Sequence, residues 1–259
     1  MFEIKSKQII ADKVKRLEVA ADVIASKIRP GQFVMVMADE NGEQIPLSVA
    51  ESDPVRGLIT LIVKEAGAGT KKLGDIPIGS SIFNILGPLG MPVELKKSGV
   101  VVCIGYETGI AQILHICRTL RKSEAKTIAV IGARTKKSLI LENQMRLTCS
   151  KVFISTDDGS YESRGSVVHS LREVMIQEKV GAVYAAAPVE ALQEICRATL
   201  KKKIKTYVYL NPVMLDGMGL CGSCRVKVAG ENILACIDGP MLDGHLVDFE
   251  DFAKRSLKD

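Results

Sequence analysis

Hydrophobic and polar positions fall into two textures that meet near Ser98. Before it, short β-branched runs alternate with turn signals. Ile28-Arg29-Pro30-Gly31-Gln32 leads into the apolar run 33–37, Glu40-Asn41-Gly42-Glu43 follows, and 58–63 is another such run. This spacing predicts an antiparallel β-barrel over residues 1–97. After Ser98, residues 100–104, 127–131, 151–155, 181–186 and 204–209 read as buried strands, and 110–120, 139–147, 167–177 and 188–200 as the helices between them. That alternation is the signature of a parallel α/β sheet, here over 98–209. Ligands bind such sheets at the carboxyl ends of the strands, so 105–109, 156–160 and 186–188 are expected to converge on one crevice. Residues 210–259 form a third segment, a Gly-rich loop followed by a short hairpin with its turn at Gly230-Glu231-Asn232.

Run 58–63 leads into Glu65-Ala66-Gly67-Ala68-Gly69-Thr70. Gly67 and Gly69 permit close backbone approach, and Thr70 can cap a helix whose free N–H groups face an anion such as a diphosphate. Gly-x-Gly-Thr is also a common loop, and Gly105 and Gly109 read equally well as a plain strand-to-helix turn.

The last fifth carries the strongest chemistry. Asp216-Gly217-Met218-Gly219-Leu220-Cys221-Gly222-Ser223-Cys224 is followed, after eleven residues, by Cys236. This is the plant-type iron-sulfur spacing with aspartate at its first position, so a 2Fe-2S cluster held by Asp216, Cys221, Cys224 and Cys236 is the favoured reading. Zinc is a competing one, with His245 able to complete a three-cysteine site. A redox-active C-x-x-C and buried structural cysteines fit less well, because the pair flanks Gly-Ser in a polar loop and a third cysteine is in play.

Composition narrows the function classes. The 259 residues are 47% hydrophobic and 25% charged, as in ordinary globular domains. Net charge is +5, yet Trp is absent and aromatics are 4%, with no basic stripe among stacking residues, which argues against nucleic-acid binding. No run reaches the roughly 18 apolar residues of a membrane span. The N-terminus lacks a signal core, and the four isolated cysteines, Cys103, Cys117, Cys149 and Cys196, read as reduced thiols in a packed core. A cytoplasmic protein without membrane attachment is expected. His115, His169 and His245 form no hydrolytic constellation.

Barrel, α/β domain and cysteine loop, in that order, resemble the ferredoxin reductase-like electron-transfer subunits over nearly the whole chain. The resemblance rests on Pro30-Gly31-Gln32-Phe33, Ile45-Pro46-Leu47-Ser48, Gly69-Thr70, 86–90, 156–161, and the stretch from Leu210-Asn211-Pro212 through Cys236-Ile237-Asp238-Gly239-Pro240. Two branches are similar. One is the dihydroorotate dehydrogenase electron-transfer subunit. The other, nearer one is the small subunit of NADH-dependent ferredoxin:NADP oxidoreductase, also described as the sulfide dehydrogenase beta subunit, in which an aspartate holds the position that Asp216 matches.

The resemblance implies an oxidoreductase subunit that relays electrons between FAD, a 2Fe-2S cluster and a larger flavin and iron-sulfur partner, with ferredoxin as a further partner and electron bifurcation as one outcome. It would lay Pro46, Leu47 and Ser48 along the flavin, border it with Ile62, Val63 and Lys64, and give the pyrophosphate to Gly69 and Thr70. It would assign Gly105, Thr108, Gly109, Asp157 and Asp158 to NAD(P)H. Two departures stand out. The family's arginine before Pro-Leu-Ser is replaced by Gln44-Ile45, leaving Lys64, Lys71 or Lys72 to meet the phosphates. The family's Gly-Gly-Gly-x-Gly-x-x-Pro reads Gly105-Tyr106-Glu107-Thr108-Gly109-Ile110-Ala111-Gln112, and its Cys-Gly-Pro reads Ala186-Ala187-Pro188. Tyr106 and Glu107 are expected to weaken dinucleotide affinity. The competing readings are a dihydroorotate dehydrogenase subunit and a non-catalytic assembly or zinc-binding module on the same fold.

Overall fold

The computed structural model describes residues 2–256. Its first sheet takes β1 (Phe2–Ala11), β2 (Val14–Ala20), β3 (Phe33–Met37), β4 (Gln44–Asp53), β5 (Leu58–Lys64), β6 (Ser81–Ile82) and β7 (Asn84–Leu89). They pair antiparallel in the order β6-β1-β2-β5-β4-β3-β7, a nearly closed barrel. Two short helices, α1 (Asp22–Lys27) and α2 (Ala68–Asp75), attach to it. Because side chains alternate along a strand, β5 sends Ile59, Leu61 and Val63 into the barrel core and turns Ile62 and Lys64 outward. Val63, expected beside the flavin, is therefore fully buried in the barrel and does not line the cavity described below.

The second sheet takes β8 (Val100–Tyr106), β9 (Lys126–Ala133), β10 (Lys151–Thr156), β11 (Ser163–Arg164), β12 (Val180–Ala186) and β13 (Lys205–Tyr209), all parallel. Between them run α3 (Gly109–Leu120), α4 (Glu142–Thr148), α5 (Val167–Gln177) and α6 (Val189–Leu200). The remaining elements are β14 (Arg225–Val228), β15 (Glu231–Leu234), α7 (Ala235–Asp238), β16 (Met241–Asp243) and α8 (Phe249–Ser256). The strand order is β11-β10-β9-β8-β12-β13-β16, with β16 antiparallel to β13. The chain runs from β8 outward to β11 and then returns to start at β12, so the topological switch point lies between β8 and β12.

Both faces of this sheet are covered. Val102, Ile104, Val130 and Val183 meet α5 and α6, while Val101, Cys103, Ile131 and Tyr184 meet α3 and α4. The α3 side also packs Val14, Ala50 and Ile62 of the barrel, so α3 is a wedge between the two sheets. That double cover explains why nearly every α3 residue is buried and why the helix has almost no polar face. Cys103, Cys117 and Cys196 are buried, and Cys149 is half-buried. Thiol–thiol hydrogen bonding, then burial, holds the Cys149 thiol far above its ordinary range, which suits a packing role.

The tail differs from its expected form. Ala229 and Gly230 both take positive φ, 52° and 87°, the pair of conformations a two-residue hairpin turn requires, so Glu231 already belongs to β15 and Cys236 falls in α7. Residues 241–243 then return to the α/β sheet as β16, and α8 follows.

Candidate cofactor cavity and cysteine loop

A cavity of about 440 Å³ opens between barrel and α/β sheet. Pro46, Leu47 and Ser48 of β4, Ile62 and Lys64 of β5 and Thr70 of α2 form one wall. Thr108, Ala111 and Gln112 at the start of α3 form the opposite wall, and Tyr209 with 211–214 closes the end. Ser48 donates to the Tyr209 hydroxyl at 2.9 Å, joining the two sheets. Burial pushes the Tyr209 phenol well above its usual pKa, so it stays protonated. The Gln112 amide donates to Asn211 Oδ1 at 2.9 Å, while its own Oε1 is buried without a protein partner. A slot with apolar walls, an unpartnered buried acceptor in Gln112 Oε1 and a neutral phenol suits a flat heteroaromatic ring bearing N–H groups, as a flavin is.

At the far end of this slot, α2 begins at Ala68 with Gly67 as its cap residue. Thr70 is three positions in. Its Oγ1 accepts from the Ala66 and Gly67 N–H groups, each at 3.0 Å, so it reaches back to steady the turn and does not itself occupy the cap position. The Gly69 N–H donates to the Glu43 carboxylate at 3.1 Å, and a Cβ on Gly69 would collide with that carboxylate. The helix terminus thus faces an anion, as its sequence predicts, and the anion is the chain's own Glu43. Of the three expected lysines, Lys64 lines the cavity while Lys71 and Lys72 do not, Lys72 being paired with Asp39 at 2.7 Å.

The strand-end crevice is arranged differently. Tyr106 donates to Asp157 Oδ2 at 2.6 Å, and Glu107, at φ 48°, meets Lys64 at 3.1 Å. Asp158 Oδ1 accepts from the Ser160 N–H at 2.9 Å and is held below the ordinary carboxylate range by Ser160. Gly105 and Gly109 serve packing: a Cβ at Gly105 would lie 2.7 Å from Ile110 Cα, and one at Gly109 would collide with the Ala186 carbonyl.

Residues 211–214 run directly from the cavity into the cysteine loop. Asp216 accepts from the N–H groups of Met218, Leu220 and Cys221, at 2.5, 3.4 and 2.6 Å. Hydrogen bonds from Cys221 and then Met218 push its carboxyl down to about 2. Cys221 is exposed, its Sγ 3.1 Å from Ser223 Oγ, which donates to Val213 O at 3.1 Å. Cys224 and Cys236 are buried together, with the Cys236 N–H donating to Cys224 Sγ at 3.4 Å. Burial, then Cys224, pushes the Cys236 thiol up to about 12.

The four expected ligands therefore fall into two contact pairs, Asp216 with Cys221 inside the loop and Cys224 with Cys236 of α7. Among the described residues no three such side chains converge closely enough to hold a single metal ion, because the Asp216 oxygens are turned onto their own loop's amides. Three thiols and a carboxylate, with N–H groups directed at sulfur, remain a donor set suited to an iron-sulfur centre. His245 is not part of it: its Nε2 lies 3.0 Å from Thr199 Oγ1 beside α6, which removes the zinc site that relied on it.

This arrangement, a barrel and a doubly covered parallel sheet enclosing one cavity, with a cysteine loop leading from it, defines a ferredoxin reductase-like oxidoreductase component. Residues 1–92 match the oxidoreductase FAD-binding domain, and 211–248 match the iron-sulfur cluster binding domain of dihydroorotate dehydrogenase B. A Thermotoga maritima protein described as a dihydroorotate dehydrogenase B (NAD(+)) electron transfer subunit homolog is 36% identical over 93% of this chain and 89% of its own. The electron transfer subunit of Desulforamulus reducens is 28% identical over 93% and 95%. A chain from the structure of the NADH-dependent reduced ferredoxin-NADP oxidoreductase, solved for flavin-based electron bifurcation, superposes with a TM-score of 0.92 at 33% identity, covering 100% of this chain and 94% of that one. Phthalate dioxygenase reductase, at 15% identity and TM-score 0.61, shares the fold. The chain belongs to the ferredoxin reductase-like electron-transfer subunit family, that of the dihydroorotate dehydrogenase B electron transfer subunits and their homologues. It is an oxidoreductase subunit with an FAD-binding and an iron-sulfur-binding part. Among the described residues no helix is long and apolar enough to cross a membrane.

Gln112 and Tyr209 in the cavity wall, and Glu43 at the start of α2, were not foreseen from the sequence. Tyr209 had a signal, as the last residue of a parallel strand beside a predicted ligand edge. Glu43 had none, since its contact with Gly69 depends on how the β3–β4 turn folds over α2.

Proposed function

We propose that this subunit carries electrons between FAD in the inter-domain cavity, a 2Fe-2S cluster in the cysteine loop, and a larger flavin and iron-sulfur partner subunit. The observation that carries this reading is continuity: 211–214 form the end wall of the cavity, and Asp216 opens the cysteine loop. Ser223 binds back to Val213, so cavity wall and loop are one braced segment. Bound flavin and cluster would supply the electron-carrying chemistry. Pro46, Leu47, Ile62 and Ala111 exclude water from the ring, Ser48 and Tyr209 hold a hydroxyl pair against it, and Gln112 Oε1 offers it an acceptor. Gly69, Thr70 and Lys64 receive the diphosphate end, with Glu43 displaced. Asp216, Cys221, Cys224 and Cys236 would hold the cluster, with the Cys236 N–H supporting Cys224 Sγ. The chain divides at 97 and 209 into flavin, α/β and cluster parts.

Several relatives are electron transfer subunits by name, which supports a larger catalytic partner and, through the bifurcating oxidoreductase, ferredoxin as a further one. Purification under anaerobic conditions with cofactor analysis tests the reading. FAD stoichiometric with the chain, and iron and acid-labile sulfide in equal amounts, are expected; flavin without iron would remove the relay.

A further inference from the structure

The switch point between β8 and β12 is where an open parallel sheet offers a ligand crevice, and a dinucleotide there needs the amides at the following helix terminus. Four observations count against a dinucleotide at this crevice. First, two amides of the opening turn of α3 are already engaged: the Ile110 N–H bonds to Glu107 O at 3.1 Å and the Ala111 N–H to Thr108 O at 3.0 Å. Second, the start of α3 lies directly on the end of β12, so closely that Gly109 has no room for a Cβ beside the Ala186 carbonyl. Third, the Tyr106 hydroxyl donates to Asp157 at 2.6 Å, so these two side chains close on each other across the strand ends. Fourth, the Glu107 carboxylate stands at the α3 terminus, anchored to Lys64 at 3.1 Å, and places negative charge where a diphosphate would come. Glu107 holds a left-handed backbone, φ 48°, that ordinarily favours glycine, so side-chain bulk is present where the backbone itself does not favour it.

We propose that the strand-end crevice of this subunit is closed to pyridine dinucleotides, and that its flavin exchanges electrons through the cysteine loop and the partner instead of with a nicotinamide bound here. The second half rests on the proposed flavin site; the first half does not. Tyr106 and Glu107 are the specificity-determining residues. Glu107 also ties the crevice loop to Lys64, a cavity-wall residue, so the two sites share one ion pair.

Isothermal titration of the full-length, cofactor-loaded subunit with NADH and with NADPH tests the closure without using flavin chemistry. No saturable heat in the micromolar range is expected from the parent protein. A Tyr106→Gly, Glu107→Gly double variant is expected to gain affinity by about tenfold or more. Micromolar binding by the parent would overturn the proposal, as would a double variant that keeps its cofactors and gains nothing. If the double variant loses its cofactors, the parent isotherm decides alone. Anaerobic mixing with NADH provides the second arm: flavin that stays oxidised with NADH and bleaches with dithionite is expected, and rapid bleaching by NADH would overturn the routing. A subunit that carries no flavin would defeat the proposed function while leaving the calorimetric test of the crevice intact.

Discussion

Thr70 and Glu43 meet at the first turn of α2 and act on it in opposite senses. Thr70 satisfies two amides that the turn would otherwise leave open, at 3.0 Å each, while Glu43 occupies the Gly69 amide that a diphosphate would use. Thr70→Ala is expected to cost about 1 kcal/mol of local stability and to loosen FAD retention without changing cluster content. Flavin content after extended dialysis measures this; unchanged retention would move the diphosphate elsewhere. Glu43→Gln is expected to do the reverse, tightening FAD binding severalfold at low salt, with the gain shrinking as ionic strength rises. Fluorescence titration of the apoprotein with FAD reads it, and an unaltered dissociation constant would show that Glu43 swings aside at no cost. The Gly-Thr turn was legible because glycine and threonine have local preferences. Glu43 was not, because nothing within a few residues of it encodes the contact.

At the scale of elements, α3 explains most of the site. It is apolar on nearly every side because it is packed between two sheets, and that burial encloses His115, whose exposure is only 7%. Burial lowers its pKa to about 4, below the roughly 6.5 of an unfolded chain. The unfolded state therefore takes the proton first. Stability is undiminished by this group above pH ~6.5 and falls as pH drops towards ~4, by an order of a few kcal/mol across that window. Urea unfolding at pH 7 and at pH 5 is expected to show a loss that shrinks in His115→Gln; equal losses in both proteins would show that His115 carries no proton linkage. Period and burial made the core elements legible: residues 33–37 and 167–177 form β3 and α5 with the bounds their patterns predict. The tail was less so, since a three-residue strand such as β16 has no period of its own and gains its order from β13.

For the whole molecule, architecture and cavity position followed from the sequence because each sheet has its own hydrophobic rhythm and parallel sheets direct ligands to one edge. Pro46, Leu47, Ser48, Ile62, Lys64 and Thr70 all line the cavity, from three separate stretches of chain. What the sequence left unresolved lies where elements from different domains meet: Ser48 with Tyr209, Gln112 with Asn211, Lys64 with Glu107. Pairings across 43 to 161 residues depend on docking geometry, and no local preference specifies them.

In the proposed relay, one braced segment joins the flavin cavity to a 2Fe-2S centre held by Asp216 and three cysteines. Electron paramagnetic resonance of the dithionite-reduced protein, with Asp216→Ala measured beside the parent, tests it most directly. The parent is expected to give the signal of a reduced 2Fe-2S centre, and Asp216→Ala to lose it or render it labile while keeping FAD. A silent parent carrying zinc at the cysteines, or an Asp216→Ala protein with the parent's signal and midpoint, would contradict the account.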